Sequence, residues 1–248
     1  MPVRHNDGDV ELKSMKIDYF VLNNEKAQSA AAIIVAGNKQ LAAPAKVLVI
    51  EDQIVPANSP EVSAAQQQMA AFARSYGTEY IYGQAFAGHY LVDEVLKGSE
   101  VVVSADKDIL MVGAVGVLGI CVAPEKLAEC LVSGNIELDI SDTVYVKIVG
   151  DLQTDSRDAA RYIVEKLQGI RKNAMVCFID ASGALTVTDK MLLCGYCQKL
   201  GVVSARFIER SYEAASIIDL SSVKAELPSA AVDAVFIGGA YGGTLEAI

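Results

Sequence analysis

The sequence predicts an α/β layered fold with mostly parallel sheets, arranged as two related lobes. Three observations carry this. Short β-branched runs alternate along the chain with helical patterns, the order expected of strands joined by crossover helices. Glycines stand just after several helical stretches, where a left-handed residue ends a helix. Of the 248 residues, 52% are hydrophobic and none is Trp, which suits a sheet buried on both faces by Ala-rich helices.

In chain order, residues 1–18 are polar and irregular, an arm that is either mobile or paired at a sheet edge. Lys46–Glu51 reads as a strand buried on both faces. Asn58-Ser-Pro-Glu61 then opens a helix through Arg74, with proline in the first turn and Gly77 as the stop. Further strands are expected at Glu79–Tyr82, Val101–Ser104, Thr143–Val149, Met175–Ile179, Ser204–Ile208 and Ala234–Ile237. Helices are expected at Pro124–Val132, Ser156–Gln168 and Thr188–Leu200, followed by Gly134, Gly169 and Gly201. The pattern restarts after Ser133–Asp142. The expected division is therefore an arm over 1–18, a first lobe over 19–134 and a second over 135–248.

A formal net charge of -10 repels phosphate backbones and anionic lipid, so nucleic-acid and membrane partners are not expected. The apolar stretch Ala30–Ala36 is too short to span a bilayer and lacks the flanks of a signal peptide. Five cysteines in such a chain read as reduced thiols, and a cytoplasmic location is expected. Cys194-Gly-Tyr-Cys197 has redox or metal spacing, but it sits inside a helical pattern with no second pair, and two small core side chains are the favoured reading. Gly113-Ala-Val-Gly-Val-Leu-Gly119 lacks the lysine and hydroxyl of a phosphate loop, so close packing of backbone segments explains it better. Gly238-Gly-Ala-Tyr-Gly-Gly243 follows an expected strand. There a carboxylate pocket lined by backbone N–H groups and a tight turn without ligand both stay open.

Several stretches carry a family resemblance. Val47-Leu-Val-Ile-Glu-Asp-Gln-Ile-Val-Pro56 is similar to V-V-V-V-D-H-x-V-P, and Ser104-Ala-Asp-Lys-Asp-Ile-Leu-Met-Val-Gly-Ala-Val-Gly116 to G-x-D-S-H-T-x-T-x-G-A-x-G. Val235-Phe-Ile-Gly-Gly-Ala-Tyr-Gly-Gly-Thr244 is similar to V-F-I-G-S-C-T-N-G-R. In this order the segments resemble the large subunit of the aconitase / 3-isopropylmalate dehydratase family, over about residues 19–248. The resemblance implies dehydration and rehydration of a hydroxy-polycarboxylate at a 4Fe-4S cluster, with His–carboxylate pairs handling protons.

Carried over position by position, the resemblance places Asp52, His89 and Asp106 among the catalytic residues, with His89 and Asp106 as a pair facing one cleft. Gln53 and Asp108 stand where the family has histidines, and neither replaces an imidazole in proton transfer near neutral pH. Cys177 falls near the position of a family glutamate. Ala240 stands at the position of the first cluster cysteine, and alanine offers iron no ligand. The sequence stops ahead of the later Cys-x-x-Cys. The expectation is therefore a protein without the cluster or any other cofactor or metal. It would bind a small carboxylate through Lys107, Gly239, Ala240 and Gly242, or a partner such as a dehydratase small subunit or a second copy. The alternative is a hydro-lyase using His89, Asp106 and Asp52, completed by a second subunit. A purely structural oligomer component is a third class.

Overall fold

The structure, a computed structural model, describes residues 12–139, 142–152, 155–209, 216–223, 235–237 and 245–247. The described residues begin with β1 (Leu12–Lys16) and β2 (Tyr19–Leu22), then α1 (Asn24–Ala36), β3 (Val47–Glu51), α2 (Pro60–Tyr76) and β4 (Glu79–Tyr82). A short helix α3 (Ala87–Tyr90) leads through one wide turn to β5 (Val101–Ser104). A 3₁₀ segment over Lys107–Val115 precedes β6 (Leu118–Cys121), α4 (Pro124–Ser133) and β7 (Asn135–Asp139). The remainder comprises β8 (Thr143–Val149), α5 (Ser156–Lys166), β9 (Met175–Asp180), α6 (Val187–Tyr196), β10 (Ser204–Phe207) and β11 (Ser216–Asp219), then a hairpin-like pair, β12 (Val235–Ile237) and β13 (Leu245–Ala247).

Two parallel sheets organise these elements. The first has strand order β4-β3-β2-β5-β6 and the second β10-β9-β8-β11. In the first, the chain steps outward from β2 to β4 and then returns to lay β5 against the other side of β2. The order thus reverses between β2 and β5, and ligand sites of open α/β sheets form outside the carboxyl ends of strands at such a reversal. Both sheet faces are covered, because alternate residues point opposite ways. Phe20, Val47, Val49 and Val103 join a core with Ile34, Phe72 and Leu127 from α1, α2 and α4. Val21, Leu48, Ile50 and Val102 join another with Leu110 and Val112, which continues into Val146, Phe178 and Leu193 around the second sheet.

The helix ends follow from local chemistry. Ser59 accepts a hydrogen bond from the Val62 N–H at the start of α2, and Gly77 (φ 68°) ends that helix. Thr186 and Asp189 form a reciprocal capping box at the start of α6. Gly134 (φ 74°) and Gly201 (φ 72°) occupy the expected left-handed positions. The expected helix over 188–200 runs only to Tyr196 and tightens into a 3₁₀ turn over Cys197–Leu200, while the one expected over 156–168 ends at Lys166. The arm over 1–18 takes the paired-edge form where it is described: β1 runs antiparallel to β7. Ile136 and Leu138 of β7 enter the core of the first sheet, so the apolar pattern of the second sheet begins only at Thr143.

The glycine run does pack closely. A Cβ on Gly113 would overlap the Ala205 carbonyl of β10, and one on Gly119 would overlap the Ile109 carbonyl. Cys194 and Cys197 are fully buried, and burial pushes both thiols up, as expected of inert core side chains. Among the described residues no helix is long and apolar enough to cross a membrane.

Candidate functional site

Three polar side chains meet beyond the carboxyl ends of β2, β3 and β5, where the strand order reverses. Asn23 follows β2, Asp52 follows β3 and Asp106 lies just past β5. Asn23 and Asp106 are buried, at 3% and 9% exposure, and Asp52 is half-buried. A carboxylate can only accept, so the Asn23 amide must donate: its Nδ2 lies 2.9 Å from Asp106 Oδ2. The amide oxygen then receives the Ser104 hydroxyl at 3.3 Å, and Ser104 Oγ in turn accepts the Asp106 N–H at 3.1 Å. The other Asp106 oxygen caps the 3₁₀ segment by accepting the Asp108 N–H at 3.1 Å.

Asp52 uses one oxygen to accept the Ala87 N–H at 2.8 Å, which fixes the start of α3. Its Oδ1 is buried and has no hydrogen-bond partner among the described residues. Burial holds the Asp52 carboxyl above the usual carboxylate range, and the nearby Asp106 charge adds to the rise, while the Ala87 and Asn23 donors oppose it. Glu51 is raised as well, first by burial and then by Asp52. A cavity of about 580 Å³ opens beside Asp52, reached by Lys26, Gln53 and Gln66. Lys107 is exposed at the head of the 3₁₀ segment. Cys121, at the end of β6, is pushed up to about 11 by burial, and the charges of Lys26, Asp106, Lys107 and Asp108 all act on it. The rim thus mixes carboxyl groups with two ammonium groups.

His89 stands elsewhere. No hydrogen bond joins it to Asp106, whose carboxylate is occupied by Asn23 and the Asp108 N–H. The imidazole instead lines a hollow of about 300 Å³ with Met111, Arg157 and Asp189. The expected His89–Asp106 pair is therefore not formed. Asp52 and Asp106 do come together, with Asn23 beside both. Cys177 lies on β9 in the second sheet, in a cavity that neither Asp52 nor Asp106 lines. Gly239, Ala240 and Gly242 lie outside the described residues. Sequence reading missed Asn23 and Lys26, and the signal available was an Asn ending an apolar tetrapeptide and opening a helix.

The described residues do not fit an iron–sulfur cluster. Cys130, Cys177, Cys194 and Cys197 are buried core thiols, Cys121 alone reaches the rim, and no three His, Cys, Asp or Glu side chains among the described residues converge as a metal site requires.

The unpaired Asp52 oxygen has a consequence for stability. A carboxyl with a raised native pKa binds its proton more readily folded than unfolded. Stability is then lost as pH rises from the ordinary carboxylate range through the raised native value. Asp52→Asn keeps an acceptor for the Ala87 N–H and removes the charge facing Asp106. It is expected to stabilise the protein by about 1 kcal/mol at neutral pH, with the gain shrinking in acid. Urea melts of both proteins at pH 7 and pH 4 check this. Equal stabilities at pH 7 would show that Asp52 carries no electrostatic conflict.

No established family profile matches the chain. Individual relatives do. The chain is 27% identical over 174 residues to a 3-isopropylmalate dehydratase large subunit of Methanopyrus kandleri, a match covering 68% of this chain and 43% of the relative. It is 28% identical over 157 residues to the homoaconitase large subunit of Thermus thermophilus, covering 60% and 38%. To the 3-isopropylmalate dehydratase large subunit of Syntrophus aciditrophicus it is 26% identical over 204 residues, covering 77% and 48%. The chain thus spans less than half the length of these relatives. Its fold is similar to that of Thermococcus kodakaraensis aconitase X, with a TM-score of 0.54 at 12% identity, over 85% of this chain and 58% of that one. The aconitase / 3-isopropylmalate dehydratase superfamily fits both the sequence relatives and the mostly parallel α/β architecture.

Proposed function

We propose that the protein binds a small hydroxy-carboxylate at the rim formed by Asn23, Asp52, Asp106 and Lys107, without iron–sulfur chemistry. The observation that carries this reading is the buried, unpartnered Asp52 Oδ1 at the strand-order reversal. A buried acceptor without a donor costs free energy, and a ligand hydroxyl would supply the donor. Lys26 and Lys107 would meet the ligand's carboxylate. Ala240, in the sequence position of a cluster cysteine, supports a site without iron. The overall charge of -10 opposes any anion at long range, so modest affinity is expected.

The test is calorimetry with malate and citrate on protein purified without oxygen, together with its iron and sulfide content. We expect binding in the millimolar range, weakened several-fold by Lys107→Ala, and no stoichiometric iron. No binding of either acid at millimolar concentration, with Lys107→Ala without effect, would overturn the carboxylate reading and leave the scaffold role. Stoichiometric iron and sulfide would overturn the cluster-free reading.

A second reading is a hydro-lyase completed by another chain, with Asp52 and Asp106 handling protons and His89 recruited on assembly. It is favoured by the names of the relatives, which are large subunits. Copurification of a second, smaller chain together with loss of water from malate would favour it over simple binding.

A further inference from the structure

The second sheet carries a cavity that the site above does not use. The register of β8, β9 and β10 sets Tyr145, Cys177 and Arg206 side by side across one face. They help line a space of about 840 Å³, together with Lys97, Gly98 and Gly116. Those residues precede β5 and β6, whereas Asp52 and Asp106 follow β3 and β5. The two sites therefore lie toward opposite ends of the first sheet's strands.

The charges in this cavity favour an anion. The Arg206 Nε is buried and has no hydrogen-bond partner among the described residues, while the same guanidinium also meets the Cys177 side chain. A guanidinium has donors only, so a desolvated N–H there calls for an acceptor oxygen. Lys190 stands nearby, held 3.0 Å from Asp180 Oδ2, with its ammonium 5.1 Å from the centre of the Phe207 ring. Asp180 competes little for Arg206, because its other oxygen accepts from Ser182 and Gly183 while Oδ2 meets Lys190. Lys97 and a second carboxylate, Glu209, also line the cavity, and both are exposed. Ile179 and Phe207 give the cavity an apolar wall, and its volume lies in the range of small-molecule sites.

We propose that this cavity is a second ligand site. It takes a small organic molecule through an oxyanion group, carboxylate or phosphate, gripped by Arg206 and flanked by Lys190 and Lys97. The guanidinium fork matches two oxygens of such a group, and the apolar wall accommodates a short carbon skeleton.

The experiment is methyl NMR on protein labelled at isoleucine δ1 carbons, titrated separately with inorganic phosphate and with succinate. Ile179 and Ile208 line this cavity, while Ile54 reports on the cavity beside Asp52. We expect the Ile179 and Ile208 signals to shift saturably at millimolar anion while Ile54 stays in place. Arg206→Gln should weaken the response by roughly tenfold or more. Lys97→Ala, on an exposed side chain, should weaken it several-fold, and it decides the matter if Arg206→Gln fails to fold. Saturation by phosphate alone assigns a phosphate ligand, and by succinate alone a carboxylate; either supports the site. No saturable shift with both anions, shifts confined to Ile54, or shifts indifferent to both variants would overturn it. Failure of malate to bind beside Asp52 would leave this result untouched, so the two readings fail separately.

Discussion

Gly113→Ala is expected to cost about 3 kcal/mol of folding stability, the upper end of overpacking penalties. The added Cβ would overlap the carbonyl of Ala205, a backbone atom of β10 that no side-chain rotation moves aside. Gly113 does not have a positive φ, so alanine there has no conformational penalty of its own and the loss is one of contact. The contact matters because the 3₁₀ segment over Lys107–Val115 fills the space between the two sheets. Ile109, Leu110 and Val112 of that segment lie in the core shared with Val146 and Phe178. Pushing β10 away would open this core rather than a surface. Gly169→Ala is the control: its φ is +100°, but a Cβ there meets nothing within 4 Å, so only about 1 kcal/mol of backbone strain is expected. Urea denaturation of both variants checks the contrast. Equal losses would mean that the segment and β10 can separate without cost.

How far the sequence could be read depended on the length and purity of each pattern. Val47–Glu51, Val101–Ser104 and Thr143–Val149 were legible because they are β-branched runs buried on one or both faces. Tyr19–Leu22 was not, since four residues beside an irregular arm give no period, although β2 is the centre of its sheet. The helix α1 was seen only as an apolar stretch at Ala30–Ala36. Its start carries no side-chain cap, because the Asn23 amide oxygen accepts from the Ser104 hydroxyl instead of from a helix N–H. Leu118–Cys121 was absorbed into the glycine run, whose packing role was nonetheless legible.

The site was half legible for the same reason. Asp52 and Asp106 stand at the ends of strands that could be recognised, but β3 and β5 meet only through β2, so their convergence was not legible from those strands alone. Asn23 ends a strand that could not be recognised. The His89–Asp106 bond failed on hydrogen-bond accounting: Asp106 meets Asn23 and the Asp108 N–H, and Asp52 is the carboxylate that meets the helix bearing His89.

Asp106→Ala is expected to lose about 3 kcal/mol, while Asp106→Asn should lose about 1 kcal/mol or less. Alanine takes the Asp106 acceptor from the Asn23 Nδ2, a donor on a side chain only 3% exposed, and removes the cap on the Asp108 N–H. Asparagine keeps that cap through its own Oδ1. Its Nδ2 would face the Asn23 Nδ2, two donors together, unless the Asn23 amide turns over. Turning presents the Asn23 oxygen to residue 106 and its NH₂ to Ser104, whose hydroxyl oxygen can accept as well as donate. The network therefore survives with its polarity reversed, and what is lost is the charge together with the smaller help that the Asn23 donor gives Asp52. That charge is one of the causes that raise Asp52. The Asp52 carboxyl should accordingly titrate lower in Asp106→Asn than in the unmodified protein, with burial still holding it above the ordinary range. Carboxyl-carbon NMR across the acid range reads this directly, and urea melts give the stabilities. If Asp106→Asn left the Asp52 titration unmoved, the two carboxyl groups would be electrostatically independent and could not act on one ligand as a coupled pair. If it destabilised as much as Asp106→Ala, the buried amide network would be unable to invert, and the negative charge itself would be what holds Asn23 and the 3₁₀ segment in place.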